Sequence, residues 1–338
     1  MLLEQVAARV RRAIPYAVAG WLLVDPDTML ITGVYEEGVP REAHLELIAL
    51  ELSEPDVNKF VDLGRGPEAA SALSAATGGD LGRSLRWSRV YEPAGFGDEL
   101  RAVFRSGPVV WGHACLTRVA DAAWFTPTEV ETMARLSSHV AHGIRTALVL
   151  HEDDVTGEET PGLVVLDDDG TVRSASPQAL TWLGPVEDDR LATSIVVHEV
   201  AAQARALADG SADASDGADR SSGPAVARVR SLSGEWLLVR GARLDETGTA
   251  VVVEPARRSD IAPLLLHLHD LTPRERQVTQ RLLTGLGTAE IARDLWITED
   301  TLRGHIKSIF AKLAVNSRPE LLARLQHQPR VHPATAGR

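Results

Sequence analysis

Cysteine is nearly missing from this chain: Cys115 is the one thiol in 338 residues. That excludes an internal disulfide framework and every multi-thiolate metal site. Lysine is almost as rare, with Lys59, Lys307 and Lys312 alone, so arginine carries the basic chemistry. Aromatic residues make up 4%. No uncharged apolar run approaches the roughly 18 residues that mark a membrane span. The start "MLLEQVAARVRRAIP" has no apolar stretch followed by a small-residue cleavage site. A cytoplasmic protein with no membrane partner is therefore expected.

Catalytic signatures are missing as well. There is no P-loop and no G-x-S-x-G, and "HEVAA" at 198–202 lacks the second histidine of a zinc helix. The "DDD" at 167–169 suggests a phospho-acceptor, but no lysine stands between Lys59 and Lys307 to partner it. A β-turn over Asp167 to Gly170 is the preferred reading. No enzyme is expected, no catalytic residue is nominated, and nothing calls for a metal or cofactor.

What the chain does have is enough length and apolar content, 44%, for two or three domains with real cores. Its net charge of -12 is unevenly spread. Residues 271–338 hold 11 Lys or Arg against 6 Asp or Glu, a balance of +5, which leaves -17 on the first 270 residues. A basic segment of this kind points to a nucleic-acid partner for the C-terminal part alone.

Residues 1–150 read as an α+β domain. A helix carrying Val6, Val10 and Ile14 precedes "GWLLVDPDTMLITGVY", a hairpin around "DPDT". "GRGPEAASALSAATGGDLG" reads as loop and short helix, and "VVWGHACLTRV" as a buried strand. A long helix starts at Thr126 and Pro127, with Val130, Met133, Leu136, Val140, Ile144 and Leu148 stepping by three or four. That stripe suits either the domain's own sheet or the same helix of a second copy. Residues 151–160 form an acidic linker. A smaller α+β domain then spans 161–256, with strand, turn and strand in "LVVLDDDGTVRSAS", a helical turn ending at Gly184, and a hairpin around "DETG". Within it, about 207–224 are too poor in large apolar residues to order themselves. A connector at 257–270, short helices over 271–327 and a flexible tail at 328–338 complete the expectation.

The helices of 271–327 carry explicit start signals. Thr272, Pro273 and Glu275 make a capping box, Gly285 closes that helix, and Thr288 and Thr298 are candidate N-caps. "WI" alone joins the second helix to the third, which is helix-turn-helix geometry. From "LTPRE" through Leu283, Gly285, "EIA" at 290–292, Leu295, Thr301, His305, Ile309, "KL" at 312–313 and "SR" at 317–318, the segment resembles the LuxR-type DNA-binding domain along its whole length. The resemblance implies an all-α four-helix domain that reads double-stranded DNA. More faintly, "WG" at 111–112 is similar to a GAF domain, and "LDDDG" with "ALTWLG" to a PAS-like domain. Sensor domains ahead of a LuxR-type domain are a familiar arrangement in actinobacterial regulators, with similar Ala- and Arg-rich usage.

On a helical wheel of the third helix, Leu302, Ile306, Ile309, Phe310 and Leu313 share the core arc. Asp300, Arg303, Gly304, Lys307 and Ala311 share a second arc, roughly 140° away, that fits a major groove. Arg303 and Lys307 are the expected base readers. Gly304 between them lets the backbone approach base edges, and the family's matching positions are those that reach bases. Asp300 either accepts from a cytosine, bridges to Arg303, or simply favours the helix N-terminus. Thr301, His305, Ser308 and Lys312 form a third strip suited to phosphates or to packing on the first helix. Thr288 and Arg318 join the expected phosphate contacts. Ala314 stands where the family commonly has glycine.

In the N-terminal part, His113 and Cys115 share a strand face, and His139 and His142 lie one turn apart. Spacing supplies only pairs, so core or surface placement is preferred over a metal or haem site, as it is for His267 and His269. Trp21, Trp111, Trp124 and Phe125 are either core or the walls of a ligand pocket. The functional expectation is a transcription regulator whose sensor domains, possible sites for a small-molecule effector, control the DNA-binding domain of a homodimer. The alternative is a sensor or interaction module whose helix-turn-helix no longer reads DNA.

Overall fold

The computed structural model describes residues 2–150, 160–184, 186–187, 190–191, 195–210, 225–231 and 233–326. The expected acidic linker apart from Thr160, the expected insertion beyond Gly210 and the tail at 328–338 lie outside them. Two compact units divide the chain: Met1–His151 with Thr160–Glu254, and Glu152–Glu159 with Pro255–Arg338.

In the first unit, α1 (Leu2–Ala13) leads into β1 (Val18–Val24) and β2 (Ile31–Glu37), followed by α2 (His44–Leu52), α3 (Phe60–Arg65), β3 (Ala70–Ala72), α4 (Leu73–Ala76), β4 (Phe96–Ser106), β5 (Val109–Val119) and α5 (Pro127–Val149). The sheet runs β2-β1-β5-β4-β3 and is antiparallel at every pairing. Thr126 starts α5 with a full capping box to Glu129, with Pro127 as the first helical residue. Met133, Ser137, Val140, Ala141 and Ile144 are buried, and α5 lies along β4. The stripe read in the sequence therefore faces its own sheet. Helix α5 turns Glu131, Arg135, Ser138, His139 and His142 outward, and Val130, Leu136 and Leu148 of the stripe are half-buried.

The remaining strands form a second sheet from β6 (Gly162–Asp167), β7 (Val172–Ala175), β10 (Val226–Arg230), β11 (Trp236–Arg243) and β12 (Gly248–Pro255), with α6 (Pro177–Leu183), α7 (Ile195–Ala208) and the short pair β8 (Val186–Glu187) and β9 (Arg190–Leu191) between them. Its order, β7-β6-β12-β11-β10, repeats that of the first sheet when each sheet's strands are counted along the chain. Asp167 accepts from the Gly170 N–H at 3.0 Å, so the "DDDG" stretch is the expected turn. Helix α7 reaches Ala208, two residues into the stretch expected to be unordered.

The two sheets, expected as separate domains, belong to one compact unit, and α7 joins them. Every residue from Val196 through Ala204 is buried. A helix apolar nearly all round is an interior helix. Here it packs on β10 and β11 from one side and on α2 and β2 from the other. An ion pair adds to the junction: Arg228 holds Asp25 at 2.8 Å and Asp27 at 3.1 Å, with the Asp25 side chain fully buried.

The described part of the second unit is helical: α8 (Arg258–Leu268), α9 (Pro273–Leu283), α10 (Thr288–Asp294), α11 (Glu299–Lys312) and α12 (Arg318–Gln326). The expected connector at 257–270 is thus mostly helix. Its Ile261, Leu264, Leu265 and Leu268 are buried, and it packs against α12. A run of three leucines between short polar stretches gives no clear period, which is why the sequence alone does not reveal this helix.

Candidate nucleic-acid interface

Helix α11 is set in place by a carboxylate at the start of α9. Thr272 caps α9 by accepting from the Glu275 N–H at 3.2 Å, and Glu275 accepts in return from the Thr272 N–H at 2.7 Å. The same carboxylate takes the Ser308 hydroxyl at 2.6 Å and the Lys312 ammonium at 2.7 Å, both from α11. Burial alone would push this acid upward, but Lys312, Ser308 and the Thr272 N–H outweigh it and hold it at about 2. Lys312 also donates to the Asp270 carbonyl at 2.9 Å. Ser308 and Lys312, expected at phosphates, are thereby corrected to their other sequence reading, packing on the first helix.

Arg318 is likewise turned inward, donating to the Leu286 carbonyl at 2.7 Å and the Leu282 carbonyl at 2.6 Å. The Leu282 carbonyl also accepts from the Gly285 N–H at 3.3 Å, so the guanidinium adds a second donor at the C-terminal end of α9. Gly285 has φ 87°, the left-handed turn expected of it. At α10 the N-cap is Gly287, whose N–H donates to Glu290 at 2.8 Å. Thr288 is the first helical residue and not the cap. Thr298 caps α11 as expected, accepting from the Thr301 N–H at 3.2 Å and sharing a hydroxyl bond with Thr301 at 2.8 Å.

With α11 so held, Leu302, Ile309 and Leu313 are buried, and Ile306 and Phe310 are half-buried beside them. Asp300, Arg303, Gly304, Lys307 and Ala311 are all exposed on the other side. A Cβ added at Gly304 would meet no atom within 4 Å. Arg303 donates to Asp300 at 2.6 Å and pairs with Glu299 at 3.3 Å, leaving its side chain 64% exposed. The Asp300 bridge was one of three sequence readings of that residue. Lys307 is exposed and has no partner among the described residues. Thr288 borders the same shallow depression, about 660 Å³, as Arg303 and Lys307, while Thr301 is exposed and His305 half-buried beside them.

Two backbone positions are unusual. Ala314 after α11 has φ 49°, with the Val315 N–H returning to the Phe310 carbonyl at 3.0 Å. That is the left-handed helix end for which glycine is the common residue. Trp296, between α10 and α11, has φ 54° and is 93% exposed, and the Ile297 N–H returns to the Ala292 carbonyl at 3.0 Å. Sequence reasoning treated Trp296 as a spacer. Its signal was available: a bulky residue in a turn too short to cover it.

The N-terminal candidates divide. His113 and Cys115 line a cavity, whereas Trp21 and Trp111 are core, with Trp21 stacked on Phe104 at 6.0 Å. Phe125 is buried and Trp124 half-exposed, so the four aromatics do not wall a pocket together. His139 and His142 are exposed. His267 and His269 contact Arg276 and Arg324 at 3.2 and 3.3 Å. Among the described residues no three His, Cys, Asp or Glu side chains are grouped to hold a metal. No helix among them is long and apolar enough to cross a membrane.

Residues 269–325 match the family described as bacterial regulatory proteins, luxR family, so the C-terminal segment is a LuxR-type helix-turn-helix domain. Over 105 residues the chain is 36% identical to the probable HTH-type transcriptional regulator GfsR of Streptomyces halstedii, covering 30% of this chain and 40% of that protein. Over 80 residues it is 35% identical to the nitrate/nitrite response regulator protein NarL of Escherichia coli K12, covering 24% and 37%. The chain thus spans about two fifths of the length of these curated relatives. Among solved structures, the GAF domain/HD domain protein from Geobacter sulfurreducens aligns with 44% of this chain and 93% of its own, at 14% identity and a TM-score of 0.33.

Proposed function

We propose that this protein is a sequence-specific, DNA-binding transcription regulator in which a GAF-like and PAS-like N-terminal part, responsive to a small-molecule effector, controls a C-terminal LuxR-type domain. The observation that carries the reading is the bare outer face of α11, where Arg303, Gly304 and Lys307 are exposed while the helix's apolar residues turn inward. Arginine and lysine on such a face reach guanine O6 and N7, each good contact contributing about 1–3 kcal/mol of discrimination. A domain with so few unengaged cations neutralises few phosphates. Tight binding then calls for a homodimer on two half-sites about 34–36 Å apart.

Fluorescence anisotropy on a promoter fragment, with the full chain, tests this. Log affinity should fall linearly with log salt, and Arg303→Ala with Lys307→Ala should weaken specific binding by about 2–4 kcal/mol, sparing most of the nonspecific component. The competing reading, an interaction module with a degenerate helix-turn-helix, is favoured by the carboxylates of Glu299 and Asp300 on Arg303. Equal, salt-insensitive behaviour of the wild type and the double mutant would establish it.

A further inference from the structure

The N-terminal unit contains a cavity of about 530 Å³ enclosed by the first sheet with its helices and by α7. Leu22, Ile31 and Phe60 contribute apolar wall from the first sheet and its helices, and Ile195, Glu199 and Gln203 of α7 close it. That volume falls within the range of small-ligand sites. The sequence-level aromatic candidates lie elsewhere, so the cavity is not the one the tryptophans suggested.

Its charges decide what fits. Arg101 lines the cavity and is 4% exposed, with Nε donating to Glu99 at 3.1 Å and Nη1 to Glu51 at 2.7 Å. Glu99 also takes Arg86 at 2.8 Å and the Tyr91 hydroxyl at 2.7 Å. Phe60 stacks on His113 with ring centroids 4.2 Å apart and carries the Arg101 guanidinium 4.2 Å from its centroid, so both ring neighbours are in place. Lys59 donates to the Glu54 carbonyl at 2.7 Å. Both lining cations are thus engaged, while Glu36, Glu54, Asp56 and Asp62 add acidic side chains to the lining, Asp56 being paired with Arg86 at 2.9 Å. Burying an anion there would cost far more than its apolar contacts return.

Two further polar groups line the wall, His113 and Glu199. His113 is 4% exposed and its Nε2 has no hydrogen-bond partner. Burial pushes its imidazole down to about 3, so it is neutral. Glu199 is 5% exposed and accepts from the Ile31 N–H, with burial pushing its carboxyl up to about 8.

From this geometry we infer that the cavity binds an uncharged small molecule with an apolar body and a hydrogen-bonding oxygen or nitrogen, seated between the first sheet and α7. The inference rests on the sensor reading of the N-terminal part and assigns its ligand class. Because α7 joins the two sheets, an occupant there stiffens their junction.

The test uses the full chain and the neutral naphthyl ketone prodan, whose emission shifts to the blue in apolar surroundings. Saturable binding at one site per chain is expected, with neither 1-naphthoate nor cyclic GMP competing at equal concentration. Ile195→Trp and, independently, Leu47→Trp, both at residues that line the cavity, should each fill it and abolish the signal. His113→Phe, which keeps the stacked ring but removes both nitrogens, should weaken binding by roughly five- to tenfold. Absence of saturable binding, effective competition by the two anions, or undiminished binding in both tryptophan variants would overturn the inference. DNA anisotropy on the same preparation separates the outcomes: a chain that binds DNA but not prodan refutes the cavity assignment alone.

Discussion

Glu275 in the helical unit and Glu199 in the sheet unit are buried to the same degree, 4% and 5% exposed, yet they sit at opposite ends of the carboxylate range, at about 2 and about 8. Burial disfavours both charges. Their partners differ: Glu275 receives an ammonium, a hydroxyl and a backbone N–H, and Glu199 has the Ile31 N–H with no cation partner among the described residues. A buried acid is therefore a strut where the fold supplies donors and a latent proton carrier where it does not.

Breaking the first side of that contrast should have the largest effect. Glu275→Ala removes the carboxylate partner of Lys312 and the acceptor of Ser308 and leaves α9 without its return bond, for an expected loss of about 3 kcal/mol by calorimetry of the helical unit's transition. Because the folded carboxyl lies below its ordinary value, its stabilisation is complete above about pH 4.5 and disappears as pH falls toward 2. The variant's deficit should shrink over that window, and a pH-independent deficit would mean that packing, and not charge, governs the site.

The arginine and lysine test on DNA comes next in size, at the 2–4 kcal/mol already given. Below it is Glu199→Gln, where the sign reverses. A folded-state carboxyl raised to about 8 contributes stability that is present at low pH and lost as pH rises from about 4.5 to 8. Removing the titration should stabilise the sheet unit by about 1–3 kcal/mol at pH 8 and leave it unchanged at pH 4. Destabilisation at both pH values would erase the comparison.

The smallest effects calibrate the helical side where no charge is involved. Gly304→Ala should stabilise α11 by about 0.5–1 kcal/mol, since the added methyl meets nothing and the helical backbone favours alanine. Ala314→Gly should also stabilise, by about 0.5–1 kcal/mol, because φ there is 49°. Opposite exchanges with the same sign, read from thermal midpoints, would show that backbone conformation decides each. For Gly304→Ala, an unchanged DNA sequence preference would make that glycine only a tolerated weak point.

The helical unit was readable because its rules are local. Thr272, Thr298, Gly285 and the apolar arc of α11 act within one or two turns of their own position, and each appears where it was expected. What escaped was the destination of its long polar side chains. Ser308, Lys312 and Arg318 look alike on a helical wheel whether they face a phosphate or a neighbouring helix, and only the crossing of α9 and α11 turns them inward. In the sheet unit, α2, α3 and β4 passed unnoticed because a strand buried on both sides and short apolar helices lack a clear period, and β10, although it alternates, is only five residues long. Nothing in the residue types announced that both sheets share one strand order.

By itself, the sequence determined the class of each half, the LuxR-type segment, the exposed trio Arg303, Gly304 and Lys307, and the single thiol. These follow from composition and from spacing along single helices. Tertiary structure alone decided that α7 joins the two sheets, that a cavity forms beneath it beside His113 and Glu199, and which carboxylates are charged. Those properties depend on groups far apart in the chain, such as Ile31 and Glu199, whose meeting is set by packing and leaves no periodic mark on the sequence.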